Sequence, residues 1–163
     1  MAQNSPKIYL AGKLAEAPAL RALGQALERH GFEITAPWYD FDQGDLNKRS
    51  SALTKLIGMA EYDGVLCSDY YVGILNDNTY AYKGTLTEMG IALGNFAHDQ
   101  DRSVNQHIFL ITPKDFTSEN CVALTVPHTT LVTHVPIMNG PDIVENVPLI
   151  VDWAKRTLIC TSM

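Results

Sequence analysis

The chain has 163 residues, of which 46% are hydrophobic and 18% are charged, and this is the size and balance of a single globular domain, residues 1–163. Its net charge is −6 and it has no run of Lys or Arg, which excludes the basic surface that a nucleic-acid polymer needs. No segment approaches the roughly 20 apolar residues of a membrane span, and the first residues lack the pattern of a secretory leader, so we expect a cytoplasmic protein without a membrane partner.

The first part of the chain predicts a strand, a helix and a second strand. The β-rich run Lys7–Ala11 is followed by Gly12, and residues 18–30 carry leucines at helical spacing. Residues 32–36 are the next strand candidate, and Pro37 ends it. This order of elements is typical of a βαβ unit.

The middle of the chain predicts a helix, a strand, a long connection and another helix. Residues 50–60 place their leucines and one isoleucine on one helical face, and residues 63–68 read as a buried strand. Residues 69–83 show no periodicity, and connections of that length in small domains are usually functional or mobile. The segment YKGTLTEMGIALG, residues 82–94, then contains the start of a helix.

The remaining elements complete the prediction of the fold. Strand candidates lie at residues 107–112 and 129–135, and a last helix lies at residues 142–158. Strands and helices therefore alternate throughout, and parallel strands joined by long crossovers form a sheet with helices on both faces. We predict an α/β fold, a three-layer αβα sandwich with about five strands in a mainly parallel sheet.

Neither a metal nor an organic cofactor is indicated. The three cysteines are far apart and form no CxxC pair, so we expect buried free thiols rather than a disulfide or a zinc site (Cys67, Cys121 and Cys160). The acidic loop at residues 37–49 lacks the glycine and the terminal glutamate of a calcium loop.

Three loops carry candidate substrate-binding residues, because ligands of open α/β sheets bind beyond the carboxyl ends of the strands, and the third, residues 68–84, contains Asp69, Asp77 and Tyr82. In the first loop Gly12 permits a tight turn and Lys13 offers a cation, although an ordinary turn with a solvated lysine fits the pattern equally well. In the second loop Trp38 can stack on a planar ring, and Asp40 and Asp42 can accept hydrogen bonds from a sugar or a base.

Glu88 permits two interpretations. The string Thr85-Leu86-Thr87-Glu88 fits a capping box, in which Glu88 would bond back to the backbone N–H of Thr85. A carboxylate near a helix N-terminus is also favoured in its ionised form, and an ionised carboxylate can attack an anomeric carbon. The pattern alone does not choose between a cap and a nucleophile.

Three segments in this order resemble the nucleoside 2-deoxyribosyltransferase family: KIYLAG (residues 7–12), AEYDGVLC (60–67) and KGTLTEMGIALG (83–94). The resemblance covers roughly residues 7–113. It implies a flavodoxin-like five-stranded sheet and a homo-oligomer whose active sites are shared between subunits. It also implies an enzyme of nucleotide salvage that acts on a nucleoside or nucleotide and a free nucleobase, without a cofactor.

The resemblance also implies roles for individual residues. Glu88 would be the nucleophile that attacks C1′ of a deoxyribose, and Tyr9 would lie beside it and hold it. Gly84 would belong to the segment that contacts substrate. Asn120 would reach into the site of a neighbouring subunit.

The chain departs from the family pattern at two positions. Tyr82 stands where the family has an aspartate that handles the leaving base, and Lys55 stands where it has an acid or amide. We therefore expect Asp77 or Asp69 to protonate the base, or Tyr82 to donate a hydrogen bond to it. The alternatives to deoxyribosyl transfer are a hydrolase of nucleoside 5′-monophosphates, with Lys13 near the phosphate, and an inactive nucleotide-binding module.

Overall fold

The computed structural model describes residues 5–41, 49–77, 79–98, 107–113, 132–137 and 143–160. The strands are β1 (Lys7–Ala11), β2 (Glu33–Ile34), β3 (Tyr70–Ile74), β4 (Ile108–Pro113) and β5 (Val132–Ile137). The helices are α1 (Ala17–Arg29), α2 (Ser51–Leu66), α3 (Lys83–His98) and α4 (Val147–Cys160). Short 3-10 turns lie at Leu14–Glu16, Trp38–Asp40 and Ile143–Asn146.

The strands form one parallel sheet in the order β2-β1-β3-β4-β5. Four of them have five or six residues, and β2, at one edge, has two. Helix α1 contacts α4, and α2 contacts α3, so that the two pairs cover opposite faces of the sheet. All five residues of β3 are buried, as a central strand covered on both faces requires. The predicted class, an α/β fold with a mainly parallel sheet between helices, is confirmed.

The predicted strand at residues 63–68 is wrong, because helix α2 runs on to Leu66 and the third strand is Tyr70–Ile74. A short apolar run has no periodicity that separates a strand from a buried helical turn, and here Gly64 and Val65 are buried residues of the helix. The long connection predicted at residues 69–83 contains this strand. The true connection is residues 75–82.

The sequence predicted that the cysteines are buried free thiols. Cys67 is exposed at the end of α2, so the expectation of a buried thiol is wrong for this residue. The side chains of the other two cysteines lie outside the described residues (Cys121 and Cys160).

Among the helices within the described ranges, none is long and apolar enough to cross a membrane.

Gly64 lets helix α2 lie directly against the sheet. A Cβ on this residue would meet the Cβ of Ala36, and it would lie 3.2 Å from Cε2 of Tyr9. The backbone carbonyl of Gly64 also accepts a hydrogen bond of 2.8 Å from the hydroxyl of Thr35. The close approach fixes the position of α2 over β1 and packs the ring of Tyr9 between helix and sheet.

We expect Gly64→Ala to lower the free energy of unfolding by about 1–3 kcal/mol, because the added methyl group must displace buried atoms. Gly58→Ala, in the same helix, is the matched control, since a Cβ there meets nothing within 4 Å. That control should leave the stability unchanged or raise it by up to about 1 kcal/mol, because alanine is the better helix former. Urea unfolding of both variants measures the difference, and equal midpoints would contradict this account of the packing.

Candidate active site

The candidate site lies at the carboxyl ends of β1 and β3, where the strand order reverses. In open α/β sheets the helices that leave such neighbouring strands lie on opposite faces, which leaves a crevice between the loops. A cavity of about 200 Å³ occupies this position. We call it the sheet-edge cavity, and its walls include five residues that the sequence predicted as site residues (Gly12, Trp38, Tyr82, Gly84 and Glu88).

Helix α3 begins at Lys83, and this start excludes the interpretation of residues 85–88 as a capping box. Thr85 is the third residue of the helix rather than its cap, and its hydroxyl donates to the carbonyl of Gly12 at 3.3 Å. The N–H of Leu86 donates to the carbonyl of Tyr82 at 2.8 Å, which closes the first helical turn. Glu88 therefore lies in the second turn, and its carboxylate is directed toward the sheet rather than back to Thr85.

Tyr9 holds the carboxylate of Glu88. The Tyr9 hydroxyl donates a hydrogen bond of 2.9 Å to Oε1 of Glu88, so the contact predicted for these two residues is present. Tyr9 is completely buried, and its ring stacks on that of Tyr71 with 5.9 Å between the ring centroids. A rigid strand and a stacked ring thus fix the donor, which gives the carboxylate one defined position in the cavity wall.

Burial, rather than the helix dipole, dominates the ionisation of Glu88. Desolvation raises the pKa of Glu88 to about 7, although the hydrogen bond from Tyr9 lowers it, and the negative charge of Glu61 raises it further. The expectation that the helix N-terminus keeps this carboxylate fully ionised is therefore wrong, because the dipole acts mainly within the first turn. Near neutral pH both the ionised and the neutral form of Glu88 are therefore populated.

Glu61 is a site residue that the sequence reasoning missed. It lies in α2, lines the sheet-edge cavity together with Glu88, and is partly buried. Burial raises the pKa of Glu61, and the nearby charge of Arg49, which also lines the cavity, opposes this rise. The residue fell between the helix predicted at residues 50–60 and the strand predicted at 63–68. Only the continuation of α2 through this segment brings it to Glu88.

A polar network ties the connection after β3 to the loop after β1. Lys13 Nζ lies 3.1 Å from Oδ2 of Asp77 and 3.4 Å from Oε1 of Glu16. The Tyr82 hydroxyl donates to Oδ1 of Asn76 at 2.9 Å and accepts the N–H of Asp77 at 3.0 Å. The lysine expected to be solvated or to bind substrate is therefore paired with two carboxylates.

The three residues expected to donate a proton or a hydrogen bond to a leaving base are not available for that role. The Tyr82 hydroxyl uses its proton in the bond to Asn76. Hydrogen bonds from Thr79, and then from Lys13, lower the pKa of Asp77 to about 2, so that carboxylate has no proton to give. Asp69 lies before β3, at the opposite end of the sheet, where it accepts the N–H of Lys7 at 2.8 Å.

Of the remaining predicted site residues, one lies in the cavity wall, one lies apart from the cavity and two lie outside the described ranges. Asp40 pairs with Arg21 at the surface rather than lining the sheet-edge cavity. Trp38 lines the cavity, but its indole N–H donates to the carbonyl of Leu10 at 2.7 Å, so the ring is fixed in place. Asp42 and Asn120 fall outside the described residues. Within the described ranges, no three acidic, histidine or cysteine side chains are grouped to hold a metal ion.

Comparison with known proteins identifies the fold. No family model and no curated protein sequence matches the chain. A solved structure, the CMP N-glycosidase BcmB of Clostridium botulinum, is similar with a TM-score of 0.54 and 18% identity, over 88% of this chain and 98% of that one. The flavoenzyme NAD(P)H:(acceptor) oxidoreductase FerB of Paracoccus denitrificans matches at a TM-score of 0.43 and 13% identity, over 93% of this chain and 98% of that one, a likeness too weak for any functional argument. At these identities the likeness to BcmB shows a shared fold.

We expect Glu88→Gln to stabilise the protein at pH 8 and to leave its stability at pH 4 unchanged. Below pH 4.5 the carboxyl group of Glu88 is neutral in the folded and the unfolded chain. Between pH 4.5 and about 7 the unfolded chain ionises first. The wild-type protein therefore loses stability as the pH rises through the folded pKa. Glutamine has no charge and still accepts the Tyr9 hydrogen bond. The gain at pH 8 should be at most about 3 kcal/mol.

Urea unfolding at the two pH values measures this gain. Glu28→Gln, at an exposed position of α1, is the matched control because it removes the same charge from the surface. A Glu88→Gln variant that loses stability at pH 8 would show that Glu88 supports the fold by its charge.

Proposed function

We propose that the protein cleaves the N-glycosidic bond of a 2′-deoxynucleoside and transfers the deoxyribosyl group to another nucleobase. The observation that carries this proposal is the carboxyl group of Glu88, which the buried Tyr9 hydroxyl holds in the wall of the sheet-edge cavity. A fixed, partly desolvated carboxylate is a suitable nucleophile for an anomeric carbon. The ordered resemblance of three segments to the deoxyribosyltransferases supports the same chemistry.

The reaction takes two displacements at C1′. In the first, an oxygen of Glu88 forms a bond to C1′ while the bond from C1′ to the base nitrogen breaks, and the electron pair leaves with the base. In the second, a nitrogen of the incoming base attacks C1′ and the ester to Glu88 breaks, which restores the carboxylate. Two displacements give a product with retained configuration.

Glu61 is the proposed proton donor and acceptor for the base. It lines the same cavity as Glu88 and is partly buried, and this burial raises its pKa, which favours the protonated form that a donor requires. In the first displacement the proton of Glu61 passes to the leaving base, and in the second the incoming base returns a proton to it. In this proposal Glu61 takes over the role of the polar residues that the family pattern has where this chain has Tyr82 and Lys55.

Hydrolysis of a nucleotide is the second candidate, and the fold of BcmB favours it, because that protein is a CMP N-glycosidase. Here water replaces the incoming base and attacks C1′ of the glycosyl ester. The bond from C1′ to the Glu88 oxygen breaks, which restores the carboxylate, and the water gives a proton to Glu61. The rest of the site acts in the same way in both reactions.

One incubation separates transfer from hydrolysis. The protein is mixed with a deoxynucleoside, or with its 5′-monophosphate, in the presence and absence of a second free base, and the products are separated by chromatography. A new nucleoside indicates transfer, and free sugar or sugar phosphate indicates hydrolysis. Intact substrate that nevertheless binds would indicate a binding module and contradict the proposal.

Glu88→Gln should lower kcat by about 10³-fold or more while the variant still binds substrate, because glutamine cannot form the glycosyl ester. Steady-state kinetics and ligand titration measure the two effects. Glu28→Gln again serves as the control and should keep the wild-type rate. Full turnover in the Glu88→Gln variant would rule out the proposed nucleophile.

Tyr9→Phe should shift the acidic limb of the kcat/KM profile to higher pH. In the wild-type protein the hydrogen bond from Tyr9 lowers the pKa of Glu88. Without this bond the pKa rises, so the active ionised form appears only at higher pH. We expect the rate at pH 7 to fall about 10- to 100-fold, the range for a hydrogen bond to a charged group.

Tyr70→Phe is the matched control for this measurement. It also removes a buried tyrosine hydroxyl, but that hydroxyl faces the carbonyl of Ala154 in α4, on the other side of the sheet. The control should leave the acidic limb in place, whatever its effect on stability. The same shift in both variants would show a general effect of packing and argue against a specific role for Tyr9.

Assembly into a homo-oligomer that shares Asn120 between sites stays a prediction. Light scattering of the purified protein measures the number of subunits.

A further inference from the structure

A second cavity, of about 410 Å³, lies between helices α2 and α3. We call it the interhelix cavity. Gly58 and Tyr62 of α2 line one side, and Thr87 and Ile91 of α3 line the other. The residues that line this cavity but not the sheet-edge cavity were not predicted as site residues from the sequence. Its volume is in the range of cavities that hold small organic ligands.

The two cavities share a wall that contains the proposed catalytic residues. Glu61, Gly84 and Glu88 line both the sheet-edge cavity and the interhelix cavity. Gly84 has no side chain, and even an added Cβ would meet nothing within 4 Å. A substrate that places its reacting carbon at Glu88 can therefore extend into both cavities.

The linings of the two cavities differ in chemistry. The sheet-edge cavity presents polar and charged groups, among them Arg49, Tyr82 and, from helix α3, Thr85. The interhelix cavity has mainly apolar walls, with the Tyr62 ring and Ile91, while Lys83 and Glu61 are among the polar residues of its lining. A sugar has many hydroxyls that suit the first lining. A nucleobase has two apolar faces and a polar edge, which suit the second.

We propose that the interhelix cavity binds the nucleobase and that the sheet-edge cavity binds the sugar with its 5′ substituent. This inference rests on the proposed function, since it takes C1′ to lie at Glu88. The base then enters and leaves between α2 and α3, with its polar edge at Glu61 and one face toward the ring of Tyr62. The N-glycosidic bond crosses the wall that the two cavities share.

Gly58→Leu tests the proposal because it places a side chain in the interhelix cavity alone. A Cβ at this position meets nothing within 4 Å, so the fold has room for the change. Free adenine and free cytosine are titrated calorimetrically into the wild-type protein and the variant, and 2-deoxyribose 5-phosphate is the probe of the sugar site. We expect the Kd of the bases to rise at least about 10-fold while the Kd of the sugar phosphate is unchanged.

Two further variants keep this test decisive. Gly90→Leu, in α3, is the matched control: a Cβ there also meets nothing within 4 Å, and Gly90 lines neither cavity. It should bind bases like the wild type. Tyr62→Ala removes a ring that is 47% exposed, so folding is retained, and the loss of stacking should weaken base binding about 5-fold or more.

The proposal is overturned if neither base binds the wild-type protein, or if Gly58→Leu and Tyr62→Ala bind both bases as tightly as the wild type does. It is also overturned if Gly58→Leu weakens the sugar phosphate rather than the bases. These measurements need no turnover. Failure of the proposed function would appear separately, as intact nucleosides after incubation with the wild-type protein.

Discussion

The hydrogen bond from Tyr9 to Glu88 joins the sheet to helix α3, and the proposed chemistry depends on it. An ionised carboxyl group is unfavourable in a partly buried position, and a donor from the protein offsets part of that penalty. Burial outweighs this donor, so the pKa of Glu88 is raised to about 7, and the hydrogen bond holds the group in position for attack when it is ionised. The donor must itself be rigid, which β1 and the stacked ring of Tyr71 provide.

Close packing of the helices against the sheet sets the rest of the site. Gly64 lets α2 approach β1, and this approach carries Glu61 into the cavity wall opposite Glu88. The connection after β3 supplies the remaining wall, because its network with Lys13 and Glu16 holds Tyr82 in place. Tyr82 has a positive φ of 44°, an unusual conformation for a residue with a bulky side chain. The network that binds its hydroxyl maintains this conformation at the start of α3.

Much of the fold was predictable because burial leaves a periodic pattern. The leucines of α1 and the apolar run of β4 indicated their elements directly. The segment after residue 60 was not predictable in this way, since a short apolar run fits a helical turn and a strand equally well, and the error there hid Glu61. In the site, the partnership of Tyr9 and Glu88 followed from the resemblance of three segments. The partners of Lys13, Asp77 and Tyr82 did not, because side chains in a loop can pair in several ways that differ little in local sequence.

The sequence by itself determined the class of fold and the position of the candidate site at the carboxyl ends of the strands. It also singled out Glu88 as the residue that either caps a helix or takes part in chemistry. Alternation of strands and helices and the turn chemistry of their connections are local properties, so a single sequence contains them. Only the tertiary structure decided whether Glu88 caps helix α3, and it excludes that role. That choice depends on where α3 begins and on which donor, 79 residues away along the chain, packs against the carboxylate. Contacts of this range are set by the packing of α2 and α3 on the sheet, which local pattern does not encode.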